Sequence, residues 1–357
     1  MRIIFIIPLI SLLLGQQPNK YLQGIENREK SLDVTDRKYG DHNGNRIFNR
    51  FYNFGGIGDA GGSLSGIYPY GSGHSYFYEF TPVIAASVID TNGNRVHIVS
   101  DGAVALKDNS PQGYQWGFEP LTGYANPNQE IMAMSDKDFT WPETWPNRDS
   151  DWDGFWNGQY GKYVRADQES YFVMDDYYND EFSHFPDSTD FDAVPKRRSG
   201  IGVELECRIY QWNHPAAEDI IIVTYWITNV GTSRLDSVIF GMYGDADIGS
   251  TNGDYTDDDA WFDVENDIVY QWDHDGWSNA DGGFKPVYFG WSFLESPGNP
   301  HDGIDNDEDG MIDESQFDGI DNDEDWLAER DDVGSDGLGA YHYGYNGPDC
   351  LLYTSPS

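Results

Sequence analysis

The sequence predicts an all-β protein: an antiparallel β-sandwich, or two, with long loops and an acidic repeat inserted toward the C-terminal end. Three observations predict it. Apolar residues alternate or run in short blocks between turn residues, and helical periodicity is scarce. Glycine (40 of 357 residues) and aromatic side chains (55) are abundant. The acids are gathered rather than spread: residues 301–336 carry sixteen, and residues 245–275 carry eleven with no Lys or Arg.

From the N-terminus, MRIIFIIPLISLLLG places one Arg before an apolar run from Ile3 to Leu14, followed by the small Gly15. The run is too short to span a bilayer and has the form of a secretory leader, so residues 1–15 are expected as a signal peptide. No later stretch is long and apolar enough to cross a membrane, so the expected product is exported and secreted or held at the cell surface. Residues 16–195 read as a β-rich region. Within it Ile84–Ile89 and Arg95–Ser100 flank Asp90-Thr91-Asn92-Gly93-Asn94, where Asn-Gly supplies the positive φ angles of a hairpin turn. Pro195-Lys196-Arg197-Arg198-Ser199-Gly200 reads as a linker, although the parts on either side could also form one larger sandwich.

Residues 196–298 read as a β-sandwich domain. In GIGVELECRIYQW, Ile201, Val203, Leu205, Cys207 and Ile209 alternate with Glu204, Glu206 and Arg208, the pattern of a strand with one wet face. DIIIVTYWITN (219–229) reads as a more deeply buried strand, and LDSVIFGMYGD (235–245) follows a turn. Further strands are expected at 268–273 and 286–294. The acidic repeats occupy 299–336. Residues 337–357 form a tail whose last eight, CLLYTSPS, leave the acidic, Gly-rich style and resemble translated adapter read-through. The expectation is a truncated chain with a partly artefactual end.

Charge and cysteines narrow the chemistry. The formal net charge of −41 makes nucleic acid and anionic membrane poor partners. Cys207 and Cys350 allow no disulfide framework, so an exported chain needs another staple, commonly a metal. Of the 62 acids 45 are Asp, the shorter acid, which suits tight cation-binding loops.

The eight letters DGIDNDED begin at Asp302 and again at Asp318. Asp305, Asp307 and Asp309 stand at positions 1, 3 and 5 of an EF-hand-type loop. Gly310 takes the turn position, Met311 offers its carbonyl at 7, and Asp313 stands at 9. Gln316 is a weak residue for position 12. The second copy has Asp321, Asp323 and Asp325 with Asp332 at position 12, but Trp326 replaces the turn glycine. Carboxylates this dense repel one another unless a divalent cation screens them, and hard oxygen donors select Ca²⁺. No helical flank precedes either loop, so the repeat resembles the thrombospondin type 3 and dockerin kind.

Two weaker calcium candidates are Asp149-x-Asp151-x-Asp153-Gly154-x-x-Asn157 and the strand end Asp245-Ala246-Asp247, followed by Asp254 and Asp257-Asp258-Asp259. At each, ordinary loop acids are an equal alternative. Trp141, Trp145, Trp152 and Trp156, with Arg148 beside them, raise a carbohydrate-binding reading against core and loop packing, and packing is favoured. Catalytic signatures are missing: the eight His are scattered, and neither HExxH nor GxSxG occurs. Gly56-Ile57-Gly58-Asp59-Ala60-Gly61 matches GxGxxG without a following helix, so a mobile glycine loop is expected.

Four stretches carry a family resemblance: WPNRDSDWDGFWNGQYG (145–161), DQESYFVMDD (167–176), ITNVGTSRLDSVIFGMYGDADIG (227–249) and FLESPGNPHDGIDNDEDG (293–310). They are similar to large exported proteins of uncharacterised activity from environmental bacteria of the Bacteroidetes–Ignavibacteria–Marinimicrobia kind. The resemblance implies surface location, a type IX secretion signal beyond the present end, and calcium. It transfers no catalytic residue. The expected function is a calcium-stabilised sandwich with a structural, adhesive or binding role toward an extracellular glycan or surface protein. The alternatives are a carbohydrate-binding module, a polysaccharide-acting enzyme, or the scaffold of a larger secreted hydrolase.

Overall fold

The computed structural model describes residues 3–13 (as backbone), 36–60, 64–103, 117–184, 186, 199–231, 235, 237–249, 257–263, 266 and 268–294. These residues form an all-β fold, as the alternation predicts. In chain order the strands are β1 (Ile3–Leu13), β2 (Tyr39–His42), β3 (Asn49–Tyr52), β4 (Glu79–Ile89), β5 (Arg95–Asp101), β6 (Glu119–Pro120) and β7 (Ala133–Met134). They continue with β8 (Gln168–Asp175), β9 (Val203–Gln211), β10 (Ile220–Asn229), β11 (Val238–Asp245), β12 (Asp258–Asp263), β13 (Ile268–Asp273) and β14 (Tyr288–Ser292). No helix among the described residues is long and apolar enough to cross a membrane.

One layer is a nine-stranded sheet in the order β12-β13-β14-β1-β10-β9-β8-β6, with β7 also on β8. The facing layer comprises β11-β4-β5 and the pair β2-β3. All pairings are antiparallel except those of β1, which runs parallel to β10 (Phe5 opposite Ile220 through Leu13 opposite Thr228) and to β14 (Ile3 opposite Tyr288). In the unprocessed chain the apolar run expected as a leader lies between β10 and β14.

The hairpin β4–β5 turns where the sequence places it. Gly93 has φ +83°, and the Asp90 carboxylate accepts the amides of Asn92 (2.8 Å) and Asn94 (2.7 Å). Pro82, which has no amide proton, lies in β4 just before its pairing with β5 begins at Val83, so no β5 bond is lost there. At the other edge of β4, Gly244 of β11 is required by close approach. A Cβ there would stand 1.8 Å from the Phe80 ring and 2.4 Å from that of Trp291.

The main core fills the space between the layers. Ile84, Ala86, Val88 and Ile98 meet Val203, Leu205, Cys207, Ile209, Ile221, Val223, Tyr225 and Ile227, with Phe77, Phe80 and Phe289 at one end. A second apolar cluster lies on the other face of β8: Leu121, Tyr124, Ala133, Trp145, Trp152, Trp156, Tyr171 and Val173. Every residue of β8 is therefore buried, Phe172 and Met174 toward one cluster and Tyr171 and Val173 toward the other.

The described parts before and after residue 195 lie in one sandwich, the alternative that the sequence left open: β8 and β9 are adjacent from Gln168 opposite Gln211 to Asp175 opposite Glu204 and share the main core. One expectation changes. The segment around Ile57 is no mobile loop: Ile57 is buried and exchanges both backbone hydrogen bonds with Phe80 at 2.8 Å.

The β8–β9 connection is fixed by one side chain. Asp176, fully buried, accepts the amides of Ile201 (2.5 Å), Gly202 (3.2 Å) and Val203 (3.1 Å) and the Ser100 hydroxyl (3.1 Å). Hydrogen bonds to a charged acceptor are the strong kind, and removing it strands buried donors. Asp176→Ala is expected to cost roughly 3 kcal/mol or more in urea unfolding, and Asp176→Asn less, because the amide keeps one acceptor oxygen.

Candidate functional site

The repeat ligands Asp305, Asp307, Asp309, Met311, Asp313, Asp321, Asp323, Asp325 and Asp332 lie outside the described residues. The loop of Asp149, Asp151, Asp153 and Asn157 is described, and the structure does not bring the four together. The three Asp are exposed, and Asp151 pairs with Lys162 at 2.6 Å. Asn157 is buried, its Oδ1 accepting from Arg148 Nε (2.8 Å) and its Nδ2 donating to Asn147 (3.0 Å).

The tryptophans beside that loop pack inward. Trp145 and Trp156 are each 2% exposed, and Trp152 is buried with Arg148 stacked 4.4 Å from its ring. The Trp156 indole donates to Glu169 (2.7 Å), whose other oxygen accepts the amides of Arg165 and Ala166. Rings held in this way present no open face to a sugar, so the packing reading describes Trp145, Trp152 and Trp156.

Arg208, expected on a wet face, is 1% exposed beneath the same cluster. It donates to the Asn157 carbonyl and to Glu206 (3.2 Å), with its guanidinium 4.0 Å from the Tyr171 ring centroid. His42 is likewise interior, bonded to Ser170 Oγ at 2.9 Å. Burial, with Lys137 nearby, lowers its pKa to about 3, so it is neutral at physiological pH. These deep polar groups hold loops to the sheet.

The strand end at Asp245 and Asp247 gathers more than the sequence shows. Asp247, 8% exposed, follows β11, and the next amide, that of Ile248, donates to Asp258 Oδ2 at 2.8 Å. Asp258 opens β12 and stands directly opposite Asp273, the last residue of β13. Asp273 is 3% exposed. One of its oxygens accepts the Trp277 amide (2.8 Å), while Oδ2 has no hydrogen-bond partner. Asp258 Oδ1 and Asp257 Oδ1 are buried and unpartnered as well.

The loop passes close because residue 249 is glycine at φ +99°. A Cβ there would meet Ser278 at 2.8 Å and Asp273 Oδ2 at 3.5 Å, while the Ser278 hydroxyl donates to the Gly249 carbonyl at 2.5 Å. Among the described residues no three acidic, His or Cys side chains already stand in ligating geometry about one point. What exists is a group of acids with unmet acceptors.

The electrostatics follow. Burial pushes Asp258 up to about 7, opposed by the Ile248 amide and reinforced by Asp273, Asp247 and Asp257. Burial and then Asp245 push Asp247 up to about 6, and burial also raises Asp273.

A different surface shows aromatic rings where sequence reading did not look. Tyr270 and Trp272 alternate with Asp273 and so turn away from the core. Their centroids lie 5.6 Å apart, and Tyr288 lies 6.0 and 5.7 Å from them. Trp261, 61% exposed, stands opposite Tyr270. Asp259, opposite Trp272, pairs with His274 at 2.7 Å. The signal was present as the alternation in DDAWFD and IVYQWD, once their pairing is known.

No protein-family model, curated protein or solved structure matches this chain.

With its folded pKa about 7 against 3.8 in the unfolded chain, Asp258 holds a proton in the native state that the unfolded state has released. Its effect on stability is therefore increasingly unfavourable as pH rises from about 4 to 7. In chelator, Asp258→Asn, which keeps an acceptor for Ile248, is expected to melt above the parent at pH 8 and to lose that advantage by pH 4. Thermal unfolding at the two pH values checks it.

Proposed function

We propose that the chain is an exported, calcium-stabilised β-sandwich with a structural, adhesive or binding role at or beyond the cell surface. The observation that carries the reading is the disposition of the buried polar groups. Asp176, Glu169 and Arg208 are spent on clamping loops, while acids remain uncompensated at the β11–β12 end and, by sequence, in 302–333. Such a chain needs a cation as a staple. An agent that binds only the folded state stabilises it by RT ln(1 + [L]/Kd), about 2.7 kcal/mol when free calcium exceeds Kd 100-fold.

Chelation is expected to expose residues 302–333 to protease first, and calcium to protect them again. Calorimetric titration of the chelator-stripped chain is expected to show saturable events that Asp307→Ala and Asp323→Ala each reduce. Protease sensitivity indifferent to calcium, with no heat of binding at about 1 mM, overturns the reading.

A second reading, binding of extracellular glycan, is favoured by one observation, the strip Trp261–Tyr270–Trp272–Tyr288. Trp and Tyr combine an apolar body with a polar tip and pack well against the C–H faces of sugar rings; here Trp261 is exposed and the other three rings are half-buried. The flanking Asp259 carries charge that disfavours an acidic glycan. Affinity electrophoresis in neutral polysaccharide gels is expected to retard the parent and not Trp272→Ala or Trp261→Ala. Equal migration of all three in every gel tested removes this reading.

A further inference from the structure

We infer that Asp247, Asp258 and Asp273 bind one hard divalent cation, Ca²⁺ by preference, which fastens the β11–β12 connection onto the β12–β13 strand pair. The inference rests on the calcium reading above. It adds a site inside the sandwich, apart from the repeats at 305–332.

Register supplies the first argument. Asp258 and Asp273 are directly opposed across an antiparallel pair, an arrangement in which like charges destabilise a sheet. Asp273 is 97% buried and Asp258 half-buried, and one buried oxygen of each has no hydrogen-bond partner. A buried acceptor left unmade costs about 1–3 kcal/mol, more when charged. The unpartnered Asp273 oxygen faces the loop that carries Asp247, since a Cβ on Gly249 would lie 3.5 Å from it.

What can satisfy these oxygens is limited. Residues 245–275 contain no Lys or Arg. His274 is engaged by Asp259, which lies on the opposite face from Asp258 and Asp273. The Ile248 amide serves Asp258, and the Trp277 amide, with that of Gly276 close by, serves Asp273. Among the described residues no basic side chain or further donor is bonded to these oxygens, and a cation can satisfy them together.

The donor set is oxygen only, with no sulfur or imidazole, which selects a hard ion. Two ligands sit on a fixed strand pair and one on a loop. That arrangement tolerates the irregular six- to eightfold coordination of Ca²⁺ better than the strict octahedron of Mg²⁺. The ion completes the convergence that the side chains alone do not reach, drawing Asp247 toward the strand pair.

The test uses the full chain, stripped with chelator and titrated with CaCl₂ by calorimetry. Terbium serves as a luminescent stand-in, excited through tryptophan, because the Trp277 amide bonds Asp273 directly. Asp247→Asn and Asp273→Asn are compared with an Asp307→Ala/Asp323→Ala double variant, all checked for parental far-UV circular dichroism. Asp247→Asn breaks no hydrogen bond that holds the fold, so it remains informative if Asp273→Asn does not fold.

The expected result is one saturable event, with Kd on the order of 10⁻⁴–10⁻³ M. It should be lost with Asp247→Asn, together with its share of terbium emission, and retained in the double variant. If both cluster variants titrate like the parent, the inference is overturned while calcium binding at the repeats stands. If the cluster event persists and the repeat variants change nothing, the inference stands and the repeat assignment falls. No binding by any chain overturns both.

Discussion

The fold depends most on the carboxylate of Asp176. It sits where β8 ends, takes the amides of Ile201, Gly202 and Val203 that lead into β9, and holds a hydroxyl from β5 in the facing layer. Residues 187–198 lie between its two principal attachments. The register of β8 against β9, on which both apolar clusters rest, is thus set by a side chain rather than by a short turn. Gly200, at φ +74°, allows the backbone to wrap around it, since a Cβ there would stand 2.5 Å from the carboxylate. A bare carboxylate in such surroundings would be costly. With three amides and a hydroxyl it is a fixed negative point around which two layers and a chain reversal are arranged.

From that arrangement follows the unusual burial of the large sheet. Near its β8 edge it is covered on both faces, by the facing layer and by the Trp145–Trp156 cluster. A strand covered on both faces has no wet side, so polar residues there must find partners inside. Glu169 and Arg208 do so through main-chain groups of the 145–166 loops. The aromatic loops are therefore as much core as the strands they cover.

This explains which parts of the fold were legible in the sequence. Strands with one wet face announce themselves by alternation, and β13 lies over the span expected for it. The β4–β5 turn is written in Asp90 and Gly93. Arg208 was misread because periodicity reports a face and cannot report what covers it. The Trp cluster was ambiguous for the same reason, and the boundary at 195 because a linker and a long intra-sheet connection have the same composition. At the acid site the local half, Asp245 and Asp247, could be read from spacing. Asp273 could not, since it reaches Asp258 only through strand register. The Trp261–Tyr288 strip was invisible for that reason too: its rings come from three strands.

The topology also bears on how the chain reaches this state. Phe5 pairs with Ile220, and Glu79 with Asp245, so β1 and one edge of β4 pair with segments far along the chain, while the other edge of β4 meets β5 locally. Contacts between residues so far apart must be formed against the full loss of chain freedom between them, which makes such sheets slow to assemble. The hairpins β2–β3 and β4–β5 can form locally, whereas docking of β11 onto β4 must wait for the later segment, so closure of the two layers comes after their hairpins.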